Sequence, residues 1–503
     1  MAFAITQNCC NDASCLSVCP VNCIHPTPDE PDFGKTESLY IDPRNCIDCG
    51  ACADACPVDA ITRVSRLGPD QAVFADINAD YFADKPVESE WDVPRFPLPT
   101  INELSEVEVA IVGTGPAACY AAQALLRFPR ARITFYDRLP TAGGLARFGV
   151  APDHMGTRRI GEHFRTVFTN PRVTMKLGVE VGSDVEHREL SERFDAVVYA
   201  VGAERDRRLD IPGIDLPGST SARKLVGWYT GHPDVPADAF DFEGVERVVL
   251  VGNGNVALDA ARILTADPAD LEGTDIAPHA LAVLRRSSVK EVVLVARRGP
   301  AHAAFTRSEC QALVDRTNIP VVVSGPVDVS ARIADLPDSS AASALSGLDA
   351  VEVGDLPSGR RIVFSFGRAP AAVGGVDRVE SIDIGSGDEK RRIRTELVLL
   401  AIGYQGSPTL GLPFDQATSS IRNAAGRVTD TEGIPLEGAY VVGWAKRGAT
   451  GGIGHNKMDA EETVDALIQD MAGRTRQPAT RRRTPFNRVG AWLPLQAPSR
   501  GLS

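Results

Sequence analysis

The sequence predicts an α/β protein made of two doubly wound, parallel-sheet units, preceded by a small α+β unit organised around cysteines. Three observations carry this. From residue 107 onward, continuous apolar strands alternate with helices, the pattern of parallel sheets covered on both faces. Two of those strands run straight into glycine turns, Gly113-Thr-Gly115-Pro-Ala-Ala118 and Gly252-Asn-Gly254-Asn-Val-Ala257. Nine of the eleven cysteines fall within residues 9–56.

Residues 1–66 come first, and their cysteine spacing is specific. One run reads Cys9-x2-Asp12-x2-Cys15-x3-Cys19-Pro20, the other Cys46-x2-Cys49-x2-Cys52-x3-Cys56-Pro57. This is the C-x2-C-x2-C-x3-C-P run of bacterial two-cluster ferredoxins, in which the fourth Cys of each run ligates the other cluster. The crossing assigns Cys19, Cys46, Cys49 and Cys52 to one complete [4Fe–4S] cluster. Cys9, Cys15 and Cys56 remain for the second, with Asp12 in the fourth position. Three thiolates suit a [3Fe–4S] cluster; a harder Asp12 carboxylate would instead complete a labile [4Fe–4S]. Cys23 reads as a buried non-ligand, and Cys10 is left undecided. Zinc explains any Cys quartet in isolation but explains poorly two interleaved runs with Pro after each last Cys. Cys119 and Cys310, the remaining pair, read as inert buried thiols rather than a disulfide framework.

Charge is uneven along the chain. Residues 1–66 hold nine acidic and four basic side chains, so the cysteine unit is the kind of surface a cationic docking face attracts. Residues 471–503 form an Arg-rich tail with Arg481, Arg482 and Arg483 in a row, read as a solvated segment rather than a nucleic-acid contact. No stretch approaches the ~18 apolar residues of a membrane span, and the N-terminus has no basic and then apolar leader. Clusters and free thiols agree with a reducing cytoplasm.

Residues 67–105 contain Pro94, Pro97 and Pro99 and read as a semi-rigid extended linker. Then VEVAIVGTGPAACYAAQALL gives strand, tight turn and helix, and ARITFYD gives the next strand. A turn-rich stretch covers 143–154, and DAVVYAVGA (195–203) is another buried strand. RVVLVGNGNVALDAARIL (247–264) repeats the strand–turn–helix unit; EVVLVARR, ELVLLAIGY and GAYVVGWAKRG supply the later strands. The Ala/Ser/Gly-rich stretch 334–360 reads as surface loop.

Both glycine turns suit a nucleotide. Gly113, Gly115 and Ala118 let the backbone approach a pyrophosphate, which sits on the positive end of the following helix. Asp137 ends the next strand, 19 residues after Ala118, and can accept from a ribose hydroxyl. The second turn, with Gly252 and Gly254, is followed by a strand that ends in Arg297-Arg298 instead of an acid. Arg in this place accommodates the 2′-phosphate of NADP. The acid-ended first site therefore suits FAD and the Arg-ended second suits NADP(H).

The segments GLARFGVAPDH, GNGNVALD, RRGPAHAAFT and GWAKRGATGGIG resemble the adrenodoxin-reductase-like ferredoxin–NADP reductases, over about residues 106–470 and in the same order. With the N-terminal run, the chain resembles the actinobacterial members in which a seven-iron-type ferredoxin is fused to such a reductase. The resemblance implies two Rossmann-like domains: an FAD domain from 106–205 and 400–470, and an NADP domain, 206–399, inserted between. It places Ala117, Asp137, Leu145 and Val181 on FAD, together with Trp444, Gly451, Gly452 and Ile453. It places Asn255, Val256, Arg297, Arg298 and Glu309 on NADP, with Gly451 near the nicotinamide. His154 and Asp259 match the family's polar pair beside the flavin–nicotinamide stack. Asp137 departs from the family's usual Glu and has a shorter reach.

The expected activity is ferredoxin–NADP(+) reductase: NADPH gives a hydride to FAD, which passes electrons singly to the fused clusters, an external ferredoxin or a downstream protein such as a P450 system. His154 and Asp259 are the candidates for handling the proton. A pyridine-nucleotide disulfide reductase needs a redox Cys pair, and Cys119 has no partner within five residues. A flavin monooxygenase needs no clusters. The alternative is an electron-transfer subunit of a larger redox complex.

Overall fold

A computed structural model of the chain describes residues 2–86, 106–316, 318–386, 389–409 and 411–473. The prolines Pro94, Pro97 and Pro99 and the arginine run 481–483 lie outside the described residues.

In the N-terminal unit, strand Phe3–Ile5 pairs antiparallel with Ile61–Arg63, and Ile24–His25 pairs with Tyr40–Ile41. Between them sit a 3₁₀ turn at Leu16–Val18 and a short helix at Ala51–Ala55, each directly after a ligand-type Cys or Gly. The expected extended linker begins differently. Residues Val73–Asp80 form a helix whose Phe74 and Ile77 are buried. Its Asn78, 2% exposed, accepts from the amides of Ile5 (3.0 Å) and Ile41 (2.9 Å) and donates to the Ile5 carbonyl (2.8 Å). One amide side chain thus supplies an acceptor to two separate strands and a donor to one of them. The reason the sequence misleads here is that a polar Asn inside a short helix carries no amphipathic signature.

Two larger sheets follow, one wholly parallel and one parallel but for two antiparallel pairings at one edge. Among the described residues, one has seven strands and holds Val107–Val112 at its centre, flanked by Ala131–Asp137 and Ala196–Tyr199, with Pro435–Val441 beyond. The other has six, with Arg247–Val251 between Glu291–Ala296 and Leu397–Leu400. The seven-stranded sheet therefore takes strands from both sides of the six-stranded one in sequence. Both central strands are buried along nearly their whole length, which is why they read as unbroken apolar runs.

The core distribution matters for function. Buried side chains of the cysteine unit (Phe3, Leu16, Ile41) and of the first nucleotide unit (Val109, Tyr120, Val198) belong to one continuous hydrophobic core. The six-stranded sheet packs its own core around Trp228, Leu250 and Ile263. The stretch 334–360, expected as surface loop, contributes to it: Ala342 and Leu345 are buried in a 3₁₀ turn. Alternate small and branched residues were enough to fill a core niche there. Among the described residues no helix is long and apolar enough to cross a membrane.

Candidate functional site

The two glycine turns are built alike. Gly113 follows the strand Val107–Val112 with φ 104°, and Gly252 follows Arg247–Val251 with φ 114°. A Cβ at Gly113 would stand 2.5 Å from the Ala200 carbonyl oxygen, and one at Gly252 would stand 2.3 Å from that of Ala401. Only glycine fits either place, and each turn delivers the chain into the N-terminus of a helix, Pro116–Leu126 or Asn255–Thr265, the end whose dipole suits a pyrophosphate.

A cleft of about 1300 Å³ opens over the first turn. Gly113, Gly115, Ala117, Asp137, Leu145, Val181, Trp444, Gly452 and Ile453 all line it. Asp137 is held in place: Thr114 Oγ1 donates to Oδ2 (2.5 Å) and the Leu139 amide to Oδ1 (2.9 Å). Gly115 and Gly144 bring their backbones together, since a Cβ on Gly144 would lie 2.7 Å from the Gly115 Cα. Gly451 is not part of the cleft wall but accepts from the Trp444 indole N–H (3.0 Å), which fixes the ring at the rim. The shape and the tethered acid fit FAD.

Of the residues assigned to the second nucleotide, Val256 faces into this same cleft. The others, Gly252, Gly254, Asn255, Arg297, Arg298 and Glu309, gather outside its wall, around the carboxyl edge of the six-stranded sheet. Asn255 is locked to the next loop, its Oδ1 accepting from the Thr306 amide at 2.9 Å. Arg297 and Arg298 stand exposed just past strand Glu291–Ala296, in the position Asp137 holds in the other sheet. An exposed cation pair at that edge fits a 2′-phosphate.

Between the two sites the structure brings together three side chains from three segments. His154 Nε2 lies 3.5 Å from Asp259 Oδ1 and 3.7 Å from Glu309 Oε2. Asp259 also accepts from Arg262 Nη2 (2.8 Å), and Arg262 in turn grips Asp153. Burial pushes the Asp153 carboxyl up, but the Arg262 guanidinium more than offsets this and holds it below its usual 3.8. Asp153 and Arg262 were not singled out from the sequence. Asp153 had a signal, as the neighbour of His154; Arg262 had none.

The cysteines separate into two neighbourhoods. Cys9, Cys10, Asp12, Cys15 and Cys56 line one small cavity. Burial pushes Cys9 up to about 12 and raises Cys15 and Cys56 as well, with Cys9, Asp12 and Cys56 adding mutual repulsion. Such crowding of thiols in a dry site suits a cationic iron core, which removes their protons. In the second neighbourhood, Cys23 lies 3.5 Å from Cys19, Sγ to Sγ. Its thiol donates to Cys19 and Cys46, lowering each to about 6, while burial raises Cys52 to about 12. Cys49 is exposed. Asp12 accepts from the Ser14 amide at 3.3 Å through Oδ1 and from the Ser14 hydroxyl through Oδ2. Cys119 and Cys310 are buried in different cores, so they cannot form a redox pair.

A two-nucleotide cleft joined to a cysteine-ligand module defines a flavin-dependent oxidoreductase with an attached iron–sulfur unit. The comparisons agree. Residues 107–322 match the pyridine nucleotide-disulphide oxidoreductase family and residues 39–62 the 4Fe-4S binding domain. A probable ferredoxin/ferredoxin–NADP reductase of Mycobacterium leprae is 45% identical over 481 residues, 93% of this chain and 86% of that one. NADPH-ferredoxin reductase FprA of Mycobacterium tuberculosis is 41% identical over 419 residues, 78% of this chain and 90% of that one. The structure of that FprA in complex with NADPH superposes with a TM-score of 0.66 at 40% identity, over 73% of this chain and 85% of that one. The chain belongs to the ferredoxin–NADP reductase family, in the group that carries a ferredoxin module on the same polypeptide.

Proposed function

We propose that this protein moves electrons between NADPH and ferredoxin-type iron–sulfur centres through FAD, with its own N-terminal module as one of those centres. The observation that carries this is the shared cleft: Val256, from the helix of the second nucleotide unit, lines the same cavity as Gly452 and Ile453 of the first. A nicotinamide held by the second unit would therefore reach an isoalloxazine held by the first.

FAD supplies the chemistry that this chain lacks, accepting a hydride and releasing electrons singly. The chain's residues do the rest. Asp137 accepts from the ribose of FAD, and the Pro116–Leu126 helix end binds its pyrophosphate. Asn255 and Glu309 position NADPH, whose 2′-phosphate meets Arg297 and Arg298. His154, paired with Asp259 and Glu309, holds the proton that accompanies hydride movement. The domain division at 106–205 and 400–470 against 206–399 is supported by the two separate sheets and cores.

Cys19, Cys46, Cys49 and Cys52 hold a [4Fe–4S] cluster. Cys9, Cys15 and Cys56 hold the second cluster, a [3Fe–4S] on three thiolates or a labile [4Fe–4S] completed by Asp12, whose carboxylate is oriented by Ser14. The physiological acceptor is a separate ferredoxin or a downstream protein such as a P450 system, and the free thiols suit a reducing cytoplasm. Anaerobic titration with NADPH, following flavin absorbance and cluster EPR together, tests the reading. Changes in both are expected; flavin change alone would leave the module as a docking or inward-feeding unit, the alternative of a subunit in a larger complex.

A further inference from the structure

Beside the shared core, the cysteine unit meets the loop next to the flavin cleft through specific polar contacts. The Gly454 amide donates to the Cys10 carbonyl at 2.8 Å. The backbones are so close that a Cβ on Gly454 would stand 2.2 Å from the Cys10 oxygen and 2.4 Å from the Asp12 nitrogen. One residue earlier, Ile453 lines the FAD cleft. Lys457 Nζ then donates to the Asp12 carbonyl (3.1 Å) and to Ser14 Oγ (3.2 Å), and His455 Nε2 lies 3.1 Å from the Gly34 carbonyl. From the other side Tyr120, on the helix Pro116–Leu126, is buried in the core that the cysteine unit shares with the flavin unit. Every one of these contacts is to the loop of the Cys9, Cys15 and Cys56 set or to its surroundings. The other set instead has Cys49 exposed.

We infer that the module is mounted with a fixed polarity: the Cys9–Cys15–Cys56 site is the flavin-facing end, joined to the cleft through Cys10–Asp12 and Gly454–Lys457, and the Cys19–Cys46–Cys49–Cys52 site is the outward end. This rests on the reading of the cleft as the FAD site. The bookkeeping is simple. NADPH becomes NADP+ and yields two electrons and a proton; the electrons cross the junction one at a time, and the proton leaves to solvent. The shared hydrophobic core of module and flavin unit makes the junction a rigid one, so the order in which the two sites fill is set by structure and not by tumbling of a tethered domain.

Rapid freeze-quench EPR of the intact protein after mixing with NADPH tests the polarity, with flavin absorbance followed in parallel. Cys56→Ser and Cys49→Ser identify which signal belongs to which site. The signal altered by Cys56→Ser is expected to respond first. Lys457→Met, and separately Gly454→Ala, are expected to slow that response about tenfold or more by moving the loops apart, while dithionite still brings both sites to their fully reduced state, with loss of the oxidised three-iron signal and full growth of the other. In Lys457→Met the flavin is expected to bleach at the wild-type rate. If the signal altered by Cys49→Ser responds first, or if both junction variants transfer at wild-type speed, the polarity is wrong. If NADPH fails to bleach the flavin in the unmodified protein, the reading of the cleft itself falls.

Discussion

Arg262 and Asp153 meet in a bidentate pair, Nε to Oδ2 at 2.6 Å and Nη2 to Oδ1 at 3.0 Å. Arg262 comes from the helix of the second nucleotide unit and Asp153 from a loop within the first, so the pair ties the two units together beside His154 and Asp259. Removing the cation leaves two half-buried carboxylates, Asp153 and Asp259, without their counter-ion. Arg262→Ala is expected to destabilise the two-unit body by about 1–3 kcal/mol, less than for a fully buried pair because both carboxylates are partly solvated, read as a lowered urea midpoint. The Asp153 pKa is depressed in the folded protein, so its contribution is present above 3.8 and is lost as pH falls through the lower folded value. The stability gap between wild type and Arg262→Ala should therefore narrow below pH 3.8; a gap that widens in acid contradicts the sign.

His154 sits within reach of both Asp259 and Glu309. His154→Ala is expected to slow flavin reduction by NADPH about a hundredfold with little change in NADPH affinity. Stopped-flow flavin bleaching at saturating NADPH measures it, and an unchanged rate would reduce His154 to a structural role.

Arg297 and Arg298 stand exposed at the end of their strand. Replacing both with Gln should weaken NADPH by about tenfold to a hundredfold, the worth of one or two charge-assisted hydrogen bonds, and leave NADH nearly unchanged. Equal losses for the two nucleotides would remove the 2′-phosphate assignment.

Asn78 satisfies backbone groups on two strands of the cysteine unit from inside the core. Asn78→Leu orphans them, at about 1–3 kcal/mol for each buried group. The expected outcome is loss of bound iron on mild heating while the flavin stays bound; iron and flavin released together would show that the module has no separate weak point.

Asp12 stands where the spacing asks for a thiolate. Asp12→Cys is expected to convert the three-thiolate site to a complete [4Fe–4S], abolishing the EPR signal of an oxidised three-iron centre. If the iron content and that signal are unchanged, Asp12 is not at the cluster.

Much of the chemistry was legible locally. Cluster ligands, glycine turns and the acid or arginine that ends a neighbouring strand are short-range patterns, because each is dictated by the geometry of one turn or one strand end. The alternation that gave two largely parallel sheets is legible for the same reason: burial on both faces leaves an apolar run in the sequence. The helix Val73–Asp80 was missed, since its key residue is a polar Asn whose partners lie 37 and 73 residues away. Arg262 with Asp153, Val256 in the flavin cleft and Gly454 against Cys10 were likewise decided by the tertiary structure. The last of these joins residues at opposite ends of the chain through a backbone amide and a backbone carbonyl. Every residue but proline carries both groups, so no residue type marks such a contact, and only the packing of two finished surfaces selects it.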